Sequence, residues 1–423
     1  WDPLAEALTV SSDAMRVAVD AGLVNIEFST RSQIPSYGTA PDVHLVLGGT
    51  DIDARYYPKY LPEKLSPDLK AWLKNAVVTT DLRELGFALR TGNPRNAAIS
   101  RTSQIYLKVQ DTVLNYHPDW PGGTHASGVV LVDDSYVQAT IDSARIADIL
   151  VESADVKYIK ESVGGDAKVV VDARVASTLD AAIEVLGQSP LRRSMGPLLD
   201  WQYRGQQTTQ LSLDIPLMRS KIEENIAPGA NKKGFYRALT NLVDSEIAIP
   251  ESPLRVTDIY GNLAFTSDLG FSADDIVGRF WGRPLTAKLL REEDQQLVAL
   301  SGRIVPEKLT QLIDFPWSGI LEGSIPLNGL LRIPQSSRGD HRGASLQLTS
   351  DLLGVAVALP KPLGKAANEQ RKLDLQIDLG SKIEALIGTL GDKLEVDLRY
   401  VDGGFDRGVL SYDRNMALPE TGQ

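Results

Sequence analysis

Alternation of apolar and polar residues runs through most of the chain and predicts strands. Met15, Val17 and Val19 alternate with polar or small neighbours, and Leu23 to Phe28, Val43 to Leu47, Leu82 to Leu89 and Ile105 to Val109 continue the pattern. The period-2 signal is cleanest where Leu373, Leu375, Ile377 and Leu379 alternate with Asp374, Gln376 and Asp378. Further strands are expected at Val129 to Val132, Tyr136 to Ile141, Lys168 to Val175, Leu211 to Ile215, Ile247 to Ile249, Leu297 to Ile304, Lys393 to Tyr400 and Gly408 to Ser411. Ile320 to Ile333 reads as short strands broken by Gly323, Pro326 and Gly329.

Two stretches look alike. Leu254 and Val256 alternate ahead of Asp258 and Gly261, as Leu346 and Leu348 do ahead of Asp351 and Gly354. Asp at the first and Gly at the fourth position suits a hairpin turn, so the pair predicts a repeated strand unit. Val355 and Val357 would then face the same way as Leu346 and Leu348.

Helical signals are few. Ser66, Pro67, Leu69, Trp72 and Leu73 predict a short amphipathic helix, Thr178 to Leu186 a helix closed by Gly187, Pro306 to Ile313 another, and Ala144 to Val151 one or two turns. Two prolines and two glycines in His117 to Gly123 must interrupt regular structure. The expected fold class is therefore mainly β, an antiparallel sheet with one apolar and one polar face and a few short helices, without the regular strand–helix alternation of a parallel α/β sheet.

Composition fits a folded chain: 423 residues, 43% hydrophobic and 23% charged. That length suggests several domains or one elongated repeat, with units at about 1–125, 126–250 and 251–423. A net charge of −11 without a long Lys/Arg run argues against a nucleic-acid partner. The absence of cysteine removes disulfides and thiolate metal sites. No apolar stretch approaches the roughly 20 residues that span a bilayer. Because the sequence opens on Trp1 and stops at Gln423, it reads as a piece of a longer protein, with any signal or anchor outside it.

Catalytic chemistry is thin, and the chain reads as a non-enzyme. His44, His117, His125 and His341 are scattered without metal-ligand spacing and read as turn or surface residues. Asp340-His341-Arg342 beside Ser336 and Ser337 is better read as a polar hairpin tip than as a triad. The pairs Asp133/Asp134, Glu223/Glu224, Asp274/Asp275 and Glu292/Glu293 point to opposite strand faces, which does not suit glycoside hydrolysis. Trp72, Trp120, Trp201, Trp281 and Trp317 raise a polysaccharide-binding alternative, but their Gly/Pro-rich or amphipathic contexts favour packing. Leu418 to Gly422 matches a sortase sorting signal but lacks the apolar segment and basic tail that should follow. No cofactor or metal is called for.

What remains is apolar strand surface with few helices to cover it. An acyl chain is a natural filler, because at about 0.8 kcal/mol per buried CH₂ a chain of about sixteen carbons gains on the order of 12 kcal/mol.

Several segments carry a resemblance: 60–77 (YLPEKLSPDLKAWLKNAV), 186–217 (LGQSPLRRSMGPLLDWQYRGQQTTQLSLDIPL), 270–285 (GFSADDIVGRFWGRPL), 348–377 (LTSDLLGVAVALPKPLGKAANEQRKLDLQI) and 406–422 (DRGVLSYDRNMALPETG). In that order they resemble the AsmA-like envelope proteins of Gram-negative bacteria, most closely the YhdP family. The resemblance implies an elongated, curled antiparallel sheet, a taco-like repeating β-groove, in periplasmic proteins that are anchored in the inner membrane and carry phospholipid to the outer membrane. It also implies acyl chains as ligands, and contact with both membranes through parts outside this piece. Protein partners are not implied. The residues expected to line the groove are Leu211, Leu213, Ile215, Leu254, Val256, Leu346, Leu348, Val355, Val357, Leu373, Leu375 and Ile377. The competing expectations are a β-rich polysaccharide binder or hydrolase with a polar aromatic cleft, and a structural envelope scaffold with a closed core.

Overall fold

Strand-forming segments with period-2 alternation pair in sequence order along almost the whole chain. The computed structural model describes residues 2–3, 6–34, 41–56, 75–92, 101–134, 136–160, 167–189, 192, 196–217, 235–250, 253–292, 295–311, 319–334, 344–361, 363–379, 383–401, 404–413 and 418. Two compact units are present, Trp1–Ala176 with Gln210–Tyr236, and Ser177–Thr209 with Arg237–Gln423.

In the first unit lie β1 (Ala7–Val19), β2 (Gly22–Gln33), β3 (Asp42–Ile52), β4 (Val77–Thr91), β5 (Arg101–Leu114), β6 (Gly123–Asp133), β7 (Tyr136–Ile146), β8 (Ile149–Lys160) and most of β9 (Ala167–Thr178). The strand β10 (Gln202–Leu217) is divided between the units. The second unit continues with β11 (Phe235–Ala248), β12 (Arg255–Thr266), β13 (Gly270–Phe280), β14 (Arg283–Glu292), β15 (Gln295–Ile304), β16 (Leu321–Gly323), β17 (Ile325–Pro334), β18 (Ala344–Ser350), β19 (Val355–Val357), β20 (Leu373–Leu379), β21 (Ile383–Leu390), β22 (Leu394–Val401) and β23 (Gly404–Tyr412). Twenty-one of them form one antiparallel sheet, while β16 and β19 pair separately.

One α-helix stands among the described residues, α1 (Leu179–Gly187), where the Thr178 hydroxyl caps the first turn by accepting from the Ala181 N–H at 3.5 Å. The helix expected around Ser66 to Leu73 lies outside the described residues. Pro306–Gln311 forms a 3-10 turn rather than an α-helix. Gly323 ends β16, yet β17 runs unbroken through Pro326 and Gly329.

A line of β-bulges crosses the strands and explains two misreadings. Register shifts fall at Ser12/Met15 in β1, Val109/Thr112 in β5, Val151/Ser153 in β8, Leu242/Ser245 in β11, Thr257/Tyr260 in β12 and Ala273/Ile276 in β13. At or opposite these shifts Asp111, His125, Asp244 and Asp258 take positive φ (48° to 51°), a left-handed conformation that Asp and His tolerate better than β-branched residues. The extra residue leaves apolar positions three apart on one face, as with Leu82 and Leu85, Val151 and Ala154, Val256 and Ile259, or Ala273 and Ile276.

That spacing imitates a helix. It is why Ala144 to Val151, expected as helical turns, is instead the β7–β8 hairpin turning at Ala147 and Asp148. Asp258 and Gly261, expected from their Asp-x-x-Gly spacing as a hairpin turn, instead sit inside β12, with Asp258 in the bulge and Gly261 paired to Leu242. A Cβ on Gly261 would lie 2.7 Å from the Asp275 carbonyl oxygen, so the glycine serves close strand approach. The lookalike stretch does turn, with the Val355 N–H donating to the Leu352 carbonyl at 3.2 Å, so the two copies are not one structural repeat.

Candidate functional site

Following partners from strand to strand in the first unit gives apolar rows without a polar interruption. One row is Met15, Ile26, Leu47, Phe87, Ile105, Val132, Val137, Tyr158 and Val169. The next is Val17, Val24, Gly49, Leu85, Leu107, Val130, Ala139, Val156 and Val171. Each crosses nine strands. Strands lie about 4.8 Å apart, so a nine-strand row extends about 38 Å along the sheet.

The opposite face carries Thr50, Glu84, Lys108, Val129, Thr140, Asp155 and Asp172 in one row. Lys108 Nζ donates to Glu84 at 2.9 Å and holds that carboxyl below its ordinary pKa. The Thr140 hydroxyl donates to Asp155 at 3.0 Å.

The second unit repeats the arrangement. Ala273, Leu289, Val298, Leu331, Leu346, Ile377, Leu386, Leu398 and Gly408 form one row, and Ile276, Ala287, Leu300, Gly329, Leu348, Leu375, Gly388, Val396 and Leu410 the next. On the reverse face run Thr286, Ser301, Asn328, Thr349, Asp374, Thr389, Glu395 and Ser411. Both of these reverse rows are polar but for Val129 in the first.

How the rows are covered differs between the units. In the first, Phe87, Leu107, Val130, Val137 and Val156 are half-buried, and the packed clusters join strands that neighbour one another, such as Val151 and Ala154 with Val175 and Leu211. In the second, Ile249, Leu254 and Trp201 pack onto Leu331, Leu346, Ile377, Leu379 and Leu386. Ile377 is 2% and Leu379 1% exposed. A second cluster joins Phe280 and Trp281, stacked at 4.4 Å, to Ile304, Ile325, Leu352 and Val355.

The residues expected to line a groove fall into three groups. Leu346, Leu348, Leu375 and Ile377 share the two apolar rows of the second unit, and Leu373 sits beside them opposite Leu390. On β10, Ser212 donates to Asp172 at 2.8 Å and Asp214 accepts from Lys168 at 2.7 Å, which fixes the polar side of that strand and leaves Leu211, Leu213 and Ile215 on the apolar side. Leu254 and Val256 pack into different clusters, with Ile377 and with Ile259. Val355 and Val357 belong to the separate β16–β19 ribbon, where Val355 is 1% exposed. None of the residues expected to line a groove precedes Leu211. The alternation of Leu85, Phe87 and Leu89 with Ile105, Leu107 and Val109 was the available signal.

Other candidate chemistry is dispersed. Trp201 packs in the core, and Trp281 donates its Nε1–H to the Pro253 carbonyl at 3.2 Å. Asp274 and Asp275 occupy the β13 bulge, while Asp134 accepts from the Ser103 N–H at 2.7 Å at a turn. His125 Nδ1 lies 2.6 Å from Asp111 on the exposed side of the bulges. Among the described residues no three His, Cys, Asp or Glu side chains are grouped to hold a metal ion, and no helix is long and apolar enough to cross a membrane. Asp340-His341-Arg342, Glu223/Glu224, Glu293, Trp72 and Trp317, and all of the 418–422 pattern but Leu418, lie outside the described residues.

No solved structure gives a significant match to this chain. The chain is 23% identical over 427 residues to the intermembrane phospholipid transporter YhdP of Escherichia coli (strain K12). That alignment covers 96% of this chain but 32% of the relative, so the chain spans about a third of that protein's length. The family described as YhdP protein matches residues 5–423, nearly the entire sequence, and the chain belongs to the YhdP family.

Proposed function

We propose that this chain is a non-enzymatic segment of a lipid conduit, in which phospholipid acyl chains lie along the apolar rows and headgroups stay at the wet margin. The observation that carries this reading is the pair of uninterrupted apolar rows across nine strands of the first unit, half-buried rather than packed under a second layer. A row running across strands offers similar apolar contact at each rung, and non-directional contact of that kind lets a chain shift between rungs at little cost. The lining comprises Phe87, Leu107 and Val130 with their row partners, Leu211, Leu213 and Ile215, and Leu346, Leu348, Leu373, Leu375 and Ile377. The name of the E. coli relative supports phospholipid as the cargo and the space between two membranes as the setting. We place the chain in the periplasm, as part of a protein anchored in the inner membrane.

The test is native mass spectrometry of the chain purified from a Gram-negative host, with a photoreactive residue at Phe87 or, as a control, at Lys108 on the reverse face. Bound phospholipid and crosslinking from position 87 but not 108 are expected. A lipid-free protein that gives no crosslink at 87 would overturn the reading.

A further inference from the structure

The second unit holds a cavity that the apolar rows do not account for. It lies between α1 and the start of β10 and measures about 680 Å³, inside the roughly 300–1,000 Å³ range of small-molecule sites. Helical periodicity builds one wall. Ala181 and Val185 are buried on one side of α1, and Leu179 packs with Leu242 and Ile259, so Asp180, Ile183, Glu184 and Gly187 turn the other side to the cavity. The opposite wall is the 3-10 turn Gly196–Asp200 with the first residues of β10, tied together where the Tyr203 hydroxyl donates to the Leu198 carbonyl at 2.6 Å. Gly187 lets the walls approach, since a Cβ there would lie 3.3 Å from Leu199 Cδ2.

Both signs of charge stand at the rim. Asp180, Glu184 and Asp200 line the cavity together with Arg192 and Arg204, and all of them are exposed. Among the described residues none of the five enters an ion pair, and Glu184 accepts from the Gln188 side chain at 3.1 Å. Ile183, Leu199 and Trp201 are half-buried and form the floor. Trp201 also packs against the buried cluster of Ile377, Leu379 and Leu386, so the charged rim and the apolar core meet at one indole. The indole N–H is buried and has no acceptor among the described residues.

Simple ions fit this lining poorly. A divalent cation would face two guanidinium groups, and an inorganic anion would face three carboxylates. A ligand that joins a phosphate to an ammonium through a short methylene bridge answers both charges and rests its CH₂ groups on the apolar floor. We propose that the cavity binds a zwitterionic phospholipid headgroup, with the phosphate towards Arg204 and the ammonium towards Asp180 and Glu184, and so gives the conduit a preference among phospholipids. The guanidinium fork matches phosphate oxygens, and a primary ammonium donates to carboxylates that can only accept. This inference rests on the lipid reading above, and free glycerophosphoethanolamine carries the same chemistry.

The experiment offers the chain equal amounts of lysophosphatidylethanolamine and lysophosphatidylglycerol of one acyl length and reads the retained lipids by native mass spectrometry. The apolar rows treat the two alike, so their ratio reports the headgroup. Wild-type protein should retain the ethanolamine lipid about fivefold over the glycerol lipid, the discrimination that one favourable exposed ion pair supplies. Glu184→Lys should bring the ratio below one, whereas Arg204→Gln should reduce both lipids and keep the ratio, because both carry the phosphate. Asp392→Lys, the same reversal at the exposed β21–β22 turn, should leave the ratio in place. Thermal unfolding establishes that these surface variants are folded. A wild-type ratio of one, or an equal drop from Glu184→Lys and Asp392→Lys, would overturn the headgroup site. So would glycerophosphoethanolamine binding as tightly as the lysolipid in calorimetric titration, which would make the ligand a soluble zwitterion. Retention of neither lipid would instead overturn the lipid reading.

Discussion

At the residue scale, Lys365 shows how a charged side chain can secure an apolar neighbourhood. It is 6% exposed, and its ammonium donates to the carbonyls of Leu352 at 2.9 Å, Ala366 at 3.1 Å and Val355, so one residue satisfies three backbone acceptors. Burial lowers its pKa from the ordinary lysine value. Arg371 braces the same segment through the Leu363 carbonyl at 2.6 Å and the Gly364 carbonyl at 3.0 Å. Lys365→Met keeps much of the stem's volume but removes a donor from each of these carbonyls; that of Leu352 keeps the Val355 N–H, and each buried acceptor left unsatisfied costs about 1–3 kcal/mol. We expect the second unit to lose about 2–4 kcal/mol of stability, read as an earlier urea midpoint with an unchanged slope. A loss within 0.5 kcal/mol, the range usual for exposed surface positions, would mean that water reaches those carbonyls.

At the element scale, truncating a row residue to alanine should cost the two units different amounts of stability. Ile377 is nearly fully buried under Ile249 and Leu254, so Ile377→Ala should cost about 2–5 kcal/mol in stability. Leu107 is half-buried in an uncovered row, so Leu107→Ala should cost about 1 kcal/mol while reducing the lipid retained through purification. Denaturant melts and lipid extraction on the same samples separate the two, and equal stability losses would contradict the contrast.

Strands of this kind were legible in sequence because Leu373, Leu375, Ile377 and Leu379 keep strict alternation through a strand without a bulge before its last residue. The breaks were not legible where Asp258 or Asp142 interrupts the period, because a bulge and a helical turn both place apolar residues three apart. Lining residues were partly legible. Alternation defines a face, but which faces are covered depends on contacts between distant strands, such as Trp201 with Ile377. The separate ribbon of Val355 and Val357 carries no local signal that distinguishes it from a rung of the main sheet.

At the scale of the whole molecule, acyl chains filling the half-buried rows, as proposed, would make stability a property of the cargo. A ligand held only by the folded state stabilises by about 2.7 kcal/mol at a hundred times its dissociation constant. Delipidated protein should therefore show a first thermal transition that rises by several degrees with added lysophospholipid, in a concentration-dependent way. An unchanged transition, with dye binding that lipid does not displace, would indicate that the rows are not an acyl surface.

The bulges also set what mutations the sheet can absorb. Deletion of the extra residue Asp258 would leave Val256 and Ile259 two apart and still on one face, but deletion of Asn262, in the regular run beyond the bulge, shifts the odd–even count for the remainder of β12. Leu263 would then exchange places with Ala264, inverting the end of the strand in one genetic step. Length changes within a regular run are therefore far more damaging than substitutions, whereas the chain connecting two strands can lengthen without disturbing which side chains face inward.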